Sequence, residues 1–185
     1  MNLSILRAAK SDVPKILELS NWAAEKLAAN FALEPESLDH WMQAFDRTQN
    51  THPWLVAKSG EELLGFAKAS PHHVRGGYAW AADVSVYVRP QLHRQGIGTR
   101  LYERLVPLMR AQGYVALLAV IAPPNPPSER LHAAFGFSRC GTSHRVGWKF
   151  GRWHDIGHWE LHLQGDGPPS PLRSVDAAWQ TVVAD

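Results

Sequence analysis

The clearest apolar pattern lies in the middle of the chain. Val84, Val86 and Val88 alternate with polar residues, which is the period of a strand with one buried face, so we predict a strand over residues 80–89. Residues 59–62, Ser-Gly-Glu-Glu, separate two further apolar runs and indicate a hairpin. Including that hairpin, strands are also predicted over residues 3–7, 53–58, 63–70, 115–121, 137–146 and 157–163.

Segments in which apolar residues recur at helical spacing lie between these strands. This spacing predicts a helix that begins near Ser11 and a second helix that Ser37 caps. A third is predicted over residues 98–112, ended by Gly113, and Ser128 is predicted to cap a short helix that reaches Phe135. The hairpin gives antiparallel pairing, whereas the strand–helix–strand unit of residues 80–121 gives parallel pairing. We therefore expect an α/β (α+β) fold with a mixed sheet and helices on its faces.

Bulk properties restrict the class of protein. A chain of 185 residues with a net charge of +2 is most simply one domain, and this near balance of charge predicts no nucleic-acid partner. The single cysteine, Cys140, excludes an intramolecular disulfide and fits a reducing, cytoplasmic location. Because no apolar run reaches the ~18–20 residues that cross a bilayer, we expect no membrane partner. Prolines in the last segment predict a folded domain over residues 1–164 and a surface or partly disordered tail over residues 165–185.

A glycine-containing turn follows the predicted strand over residues 80–89. Gly96 and Gly98 stand where a helix begins, so several backbone N–H groups and the positive end of the helix dipole point at one place, which suits an anion such as phosphate. The same turn is also a common way to connect a strand to a helix. It is not a P-loop, because Thr99-Arg100 follows Gly98, and it lacks the third glycine of a dinucleotide fingerprint.

The turn reads His93-Arg94-Gln95-Gly96-Ile97-Gly98 and resembles the Gln/Arg-x-x-Gly-x-Gly/Ala pyrophosphate loop of the GNAT acetyltransferases, with a histidine at its first position. Residues 125–137, which begin Asn-Pro-Pro-Ser, resemble the second coenzyme-binding stretch of that family. Within the family the chain is most similar to the phosphinothricin and methionine sulfoximine N-acetyltransferases, on the segments 29–31, 34–35, 53–57, 78–80, 85–88 and 148–155.

This resemblance implies a GNAT-type, mostly antiparallel sheet in a single domain and an enzyme that uses acetyl-CoA as co-substrate. The expected acceptor is a small-molecule amine, the α-amino group of an amino-acid analogue such as L-phosphinothricin or methionine sulfoximine or sulfone, with direct transfer in a ternary complex. A homodimer is expected, with the aromatic-rich segment 148–159 at its interface. The implied cofactor-binding residues are Val86, Tyr87, Val88, His93, Arg94, Gln95, Gly96, Ile97, Gly98, Thr99, Asn125 and Ser128.

Two residues are expected to move protons. An ammonium must lose a proton before it attacks a thioester, and a carboxylate is a suitable base. Asp83 stands where the family has a glutamate just before the Ser/Thr-Val-Tyr-Val strand, which implies that Asp83 is the base, directly or through water. The alternatives are that the base lies elsewhere in the chain or that Asp83 is a strand-end cap. His132 stands where many GNAT enzymes have a tyrosine that protonates the thiolate, and the alternative is a buried structural histidine.

Acceptor-binding residues are expected on segments that match the subgroup. Phe31 is expected to pack on the acceptor side chain, and the Arg75 guanidinium suits a carboxylate or phosphinate, although an exposed loop arginine is equally typical. The full set is Phe31, Arg75, Tyr78, Val84, Ser85 and Lys149.

Three other interpretations stay open. In the first, the acceptor is a polyamine, an aminoglycoside or a protein N-terminus. In the second, the chain is an acetyl-CoA sensor without catalysis, because it departs from the family pattern at Asp83 and His93. A metal site is the third, because alternate residues of the last predicted strand share one face. Its ligands would be His158, Glu160 and His162, with His72, His73 and His154 as further candidates. Exposed strand residues are the commoner outcome of that spacing, so we predict no metal.

Overall fold

The computed structural model describes residues 3–183; residues 1–2 and 184–185, at the ends of the predicted domain and tail, lie outside the described residues. No helix within the described part combines the length and apolar character that crossing a bilayer requires. The described elements are β1 (Ser4–Arg7), α1 (Val13–Lys26), α2 (Leu38–Thr48), β2 (Trp54–Ser59), β3 (Glu62–Pro71), β4 (Ala81–Val88), α3 (Ile97–Gln112), β5 (Ala116–Ile121), α4 (Pro126–Ala134), β6 (Ser138–Lys149), β7 (Arg152–His162) and α5 (Val175–Val183).

The strands described within residues 3–183 form one sheet in the order β1-β2-β3-β4-β5-β7-β6. Among them only β4 and β5 pair in parallel, and every other neighbouring pair is antiparallel. The predicted hairpin (β2–β3), the strand–helix–strand unit (β4–α3–β5) and the mixed, mostly antiparallel sheet are therefore confirmed.

Side-chain alternation along the strands builds an apolar core on each face of the sheet. On one face, Val84 and its alternate neighbours on β4 pack against α3, where Leu101 and Leu105 are fully buried. On the other face, Phe66 of β3 packs with α1 and with Trp41 of α2. Both faces of the sheet are covered by helices. Alternate residues of β4 therefore point to opposite faces, toward α3 or toward α1 and α2.

The C-terminal segment differs from the predicted tail, because residues 175–183 form α5, which packs on α3. Val175 is 1% exposed and Ala178 is fully buried. The Arg104 guanidinium of α3 donates to the carbonyl of Val182 at 2.8 Å and lies 5.8 Å from the Trp179 ring centroid. The prolines that suggested a tail instead lead the chain across the surface to a helix that completes this core.

The hairpin of β6 and β7 is longer than predicted. The two strands span 12 and 11 residues and are joined by a tight turn in which Phe150 and Gly151 have φ of 49° and 71°. Trp148 and Trp153, which lie opposite each other beside this turn, are each about half exposed and contact edge to face at 5.3 Å. The hairpin thus places an aromatic surface at its end.

Candidate active site

A cleft opens where β4 and β5 separate. The two strands pair only over residues 81–83 and 116–118, and Asp83 opposite Leu118 is the last pair. Beyond it β4 continues to Val88 and β5 to Ile121 without pairing to each other. The separated strand ends and the starts of α3 and α4 line a cleft of about 860 Å³. Backbone groups on the facing strand edges are therefore not used in sheet pairing and suit a ligand that runs between them.

The glycine turn lies at the wide end of this cleft. Arg94 and Gly96 have φ of 64° and 77°, and this left-handed backbone, which favours glycine, leads into the first turn of α3. Nε2 of His93 lies 3.0 Å from the carbonyl oxygen of Val88, so the histidine at the first motif position ties the turn to the end of β4. All the predicted cofactor-binding residues except Gln95 line the cleft: Val86, Tyr87, Val88, His93, Arg94, Gly96, Ile97, Gly98, Thr99, Asn125 and Ser128.

The helix α4 forms another wall of the cleft, and Asn125, not Ser128 as predicted, is its N-cap. Oδ1 of Asn125 accepts the backbone N–H of Ser128 at 3.3 Å, so the helix begins earlier than the serine suggested. A Cβ at Gly98 would lie 3.3 Å from the side chain of Leu131. The second glycine of the turn therefore allows α4 to approach the start of α3 closely.

His132 is buried, and both of its ring nitrogens have protein partners. Nδ1 lies 2.8 Å from the carbonyl oxygen of Ser128, which can only accept a hydrogen bond, so Nδ1 carries the proton and Nε2 accepts the Tyr102 hydroxyl at 3.0 Å. Burial lowers the pKa of His132, although the Ser128 carbonyl opposes the change. The ring is therefore neutral near pH 7. These contacts fit the structural alternative, and the general-acid role stays a prediction.

Asp83 stands at the point where the strands separate. Its side chain lies on the face of β4 that carries α1 and α2, which we call the acceptor face, together with Ser85 and Tyr87. Oδ1 of Asp83 lies 2.9 Å from Nδ1 of His72, the first residue after β3. Within residues 3–183 this imidazole is the one side-chain hydrogen-bond partner of Asp83, so the structure does not show the strand-end cap. Asp83 is not itself among the residues that line the cleft, whereas the next two residues of β4, Val84 and Ser85, are.

Lys149 is buried behind the acceptor face, where it holds the loop between α1 and α2. Its ammonium group donates to the carbonyl oxygens of Ala24, Asn30 and Ala32, the last at 2.8 Å. Because an ammonium has three protons, these three acceptors occupy it fully. The contacts therefore indicate a structural role, and acceptor binding by Lys149 stays a prediction.

The remaining predicted acceptor residues lie at different depths. Val84 and Ser85 line the cleft, Val84 toward α3 and Ser85 on the acceptor face. Phe31 is half-buried against the β6–β7 hairpin, with its ring centroid 6.0 Å from that of His154. Arg75 and Tyr78 are exposed on the loop between β3 and β4, outside the cleft lining.

Lys68 adds a positive charge to the acceptor face that the sequence pattern did not indicate. Opposite Ser85 in the sheet register, its Nζ lies 4.5 and 4.7 Å from the ring centroids of Trp41 and Trp54. Burial lowers the pKa of Lys68, and the carboxylate of Glu36 opposes this change. Periodicity assigned the residue to a strand, but only the pairing of β3 with β4 reveals its neighbours.

Among the residues considered as metal ligands, His158 has a partner outside that set, whereas His162 lies near Glu160 of the same set. Nε2 of His158 lies 2.9 Å from Oγ of Ser143, and Nε2 of His162 lies 3.7 Å from Oε1 of Glu160. Over the described range, 3–183, no group of three or more potential ligand residues is placed to hold a metal ion.

Comparison with known proteins places the chain in a family. The model of the acetyltransferase (GNAT) family matches residues 16–137. A phosphinothricin N-acetyltransferase of Streptomyces viridochromogenes is 37% identical over 173 residues, which cover 94% of each chain. An L-methionine sulfoximine/L-methionine sulfone acetyltransferase of Pseudomonas aeruginosa is 34% identical over 177 residues, 95% of this chain and 99% of the relative.

Solved structures agree with these sequence matches. A Sinorhizobium meliloti phosphinothricin acetyltransferase, solved in complex with acetyl-CoA, superposes with a TM-score of 0.86 at 29% identity, covering 92% of this chain and 94% of the other. A Salmonella typhimurium protein solved with its cofactor acetyl-CoA gives 0.87 at 29% identity, covering 92% and 99%. The chain therefore belongs to the GNAT acetyltransferase family and is an N-acetyltransferase.

Proposed function

We propose that this enzyme transfers the acetyl group of acetyl-CoA to the α-amino group of a small amino-acid analogue, of the phosphinothricin or methionine sulfoximine/sulfone class. The observation that carries the proposal is the cleft between β4 and β5, which has the glycine turn and the start of α3 at its wide end and begins just beyond the last strand pair, Asp83–Leu118. The names of the relatives support the acceptor class.

The chain's own groups suit the coenzyme. N–H groups in the first turn of α3, which the left-handed Gly96 directs toward the cleft, suit the pyrophosphate because they have no partner within the helix. The unpaired edge of β4 at Val86–Val88 offers backbone groups to an extended pantetheine arm, as an added strand would use them. Acetyl-CoA would supply the activated acetyl group when it is bound in this cleft.

The acceptor face suits a zwitterion. Lys68 and the exposed guanidinium of Arg75 provide positive charge for a carboxylate or phosphinate, and Asp83 provides negative charge for the ammonium. Burial, and secondarily Glu36, raise the pKa of Tyr87 to about 12, so its phenol stays neutral and acts as a hydrogen-bonding group.

Direct transfer in a ternary complex fits better than an acetyl-cysteine intermediate. Cys140 lies on β6 outside the cleft lining, and its thiol donates to the carbonyl of His158 at 3.4 Å. Loss of solvation and the Glu160 carboxylate raise the pKa of the Cys140 thiol, which opposes formation of the nucleophilic thiolate.

We also propose a homodimer through the end of the β6–β7 hairpin. Trp148, Phe150 and Trp153 are each more than half exposed there, and such clustered aromatic residues are typical of interface cores.

The experiment that tests the function measures thiol release from acetyl-CoA with L-phosphinothricin, methionine sulfoximine, methionine sulfone and spermidine. Turnover with the amino-acid analogues and not with spermidine is expected. Turnover with spermidine alone would overturn the acceptor class and favour a polycationic amine. Coenzyme binding without turnover across a broad amine panel would favour a sensor.

A further inference from the structure

We propose that His72 accepts the proton of the acceptor ammonium and that Asp83 is the residue that positions the His72 ring. This inference rests on the proposed acetyl transfer and concerns its proton-transfer step. It begins from the 2.9 Å contact between Oδ1 of Asp83 and Nδ1 of His72, formed where β4 and β5 separate.

The sheet register brings the two residues together. Ser70 of β3 lies opposite Asp83 of β4, so both side chains are on the acceptor face. His72 follows Ser70 by two residues, and alternation returns its side chain to that same face. The side chains of His72 and Asp83 are 33% and 43% exposed, so the pair is open to a small acceptor.

The contact fixes which nitrogen of His72 has a free lone pair. An ionised carboxylate only accepts hydrogen bonds, so the proton lies on Nδ1 and Nε2 is left as an acceptor. Within residues 3–183, Nε2 of His72 has no hydrogen-bond partner. The charged or titratable groups around the ring are Asp83, the Tyr78 ring, which lies edge-on at 5.7 Å, and His73 and Arg75 of the same loop. The free Nε2 is the atom we assign as the base.

The arrangement also accounts for an aspartate at this position. Asp83 is one methylene shorter than the glutamate that the family resemblance led us to expect, and the imidazole of His72 extends its reach. An imidazole is a better matched base than a carboxylate near neutral pH, because catalytic efficiency is greatest when the base titrates close to the working pH.

In the proposed step, the lone pair of Nε2 takes one proton from the acceptor ammonium and leaves a neutral amine. The amine nitrogen attacks the thioester carbonyl carbon, the new C–N bond forms, and the C–S bond breaks as the carbonyl is restored. The second proton leaves the nitrogen and is taken up by the departing thiolate, which gives free CoA. His72 then releases its proton to solvent, and the imidazolium that forms in between is stabilised by Asp83.

The test compares His72→Gln with His73→Gln, a neighbouring histidine that contacts Tyr78 but not Asp83. We expect kcat/KM for the acceptor to fall about 10²-fold or more in His72→Gln, the range of a lost general base, with acetyl-CoA affinity and Tm unchanged. His73→Gln should stay close to wild type. Asp83→Asn should also lose activity, and the double variant should be no worse than His72→Gln alone, because the residues act as one unit.

The acidic limb of the pH profile of kcat/KM gives a readout that a structural role would not move. It should be lost in His72→Gln, because the imidazole that must be deprotonated is gone, and it should be kept in His73→Gln. A His72→Gln enzyme with normal kcat/KM, beside an inactive Asp83→Asn enzyme, would overturn the proposal and return the base to Asp83.

A second measurement does not depend on any acceptor. Nitrogen-15 NMR of the wild-type enzyme, with the His72 signals assigned by their loss in His72→Gln, should show the proton on Nδ1 and its redistribution in Asp83→Asn. A ring protonated on Nε2 would refute the pairing even if turnover is found. Absence of wild-type turnover with the acceptor panel would instead refute the proposed function.

Discussion

A methyl group added at Gly147 should displace Phe31 and loosen the cover of the acceptor face. A Cβ built at Gly147 lies 2.2, 2.6 and 2.9 Å from three carbon atoms of the Phe31 ring, whereas carbon atoms normally approach to about 3.5–4.0 Å. The ring must therefore move by more than 1 Å. Phe31 lies between Asn30 and Ala32, whose carbonyls bind Lys149, so the whole loop resists this movement.

Overpacking of this kind costs about 1–3 kcal/mol. For a chain of this length that corresponds to a fall in Tm of about 2–10 °C, measured by thermal denaturation of Gly147→Ala. KM for the acceptor should rise, because the loop forms one side of the acceptor face, while the affinity for acetyl-CoA should change little, since the glycine turn is untouched.

The matched control is Gly141→Ala on the same strand, where an added Cβ has no atom within 4 Å. That variant should keep or slightly raise Tm, because alanine restricts the unfolded chain. Adding Phe31→Ala to Gly147→Ala should make the two effects on stability less than additive, since the clash is removed. If Gly147→Ala matches Gly141→Ala in both Tm and acceptor KM, the steric reasoning is wrong.

Four further variants test other parts of the structure. Lys149→Met should cost about 2–4 kcal/mol of stability, because three carbonyls lose their donor, and a stable variant with only a raised acceptor KM would support substrate binding instead. His132→Gln should lower Tm with kcat largely kept; an unchanged Tm with kcat reduced about 10²-fold or more would favour the general-acid role. Burial lowers the pKa of His52 to about 4, below the ~6.5 of the unfolded chain. The stability contributed by the neutral His52 ring is therefore fully present above pH ~6.5 and is lost as the pH falls toward 4. Thermal denaturation at pH 7 and pH 5 should therefore show a smaller drop in His52→Gln than in wild type. Trp153→Ser should convert the proposed homodimer to a monomer in analytical ultracentrifugation, and a wild-type monomer would contradict the proposed interface.

Local patterns predicted most of the elements but not all of their ends. The alternating valines of β4 and the apolar spacing of α3 are properties of short segments, so a sequence window contains them. At α4, Ser128 and Asn125 are both good capping residues, and only the backbone course shows that Asn125 accepts the N–H of Ser128. The helix α5 was not predicted within residues 165–185, because the prolines there are a local signal, whereas α5 is stabilised by burial of Val175 and Ala178 against a helix formed more than 60 residues earlier.

The candidate site divides in the same way. The sequence by itself determined the strand, the glycine turn and the helix that follows it, because these residues are contiguous and their backbone preferences are local. Only the tertiary structure decided that β4 and β5 separate after Asp83, that Asp83 meets His72 just beyond the end of β3, and that Lys149 binds carbonyls more than 100 residues away. Such contacts depend on strand register and on the packing of distant segments, and neither is encoded in the spacing of residues along one stretch of chain.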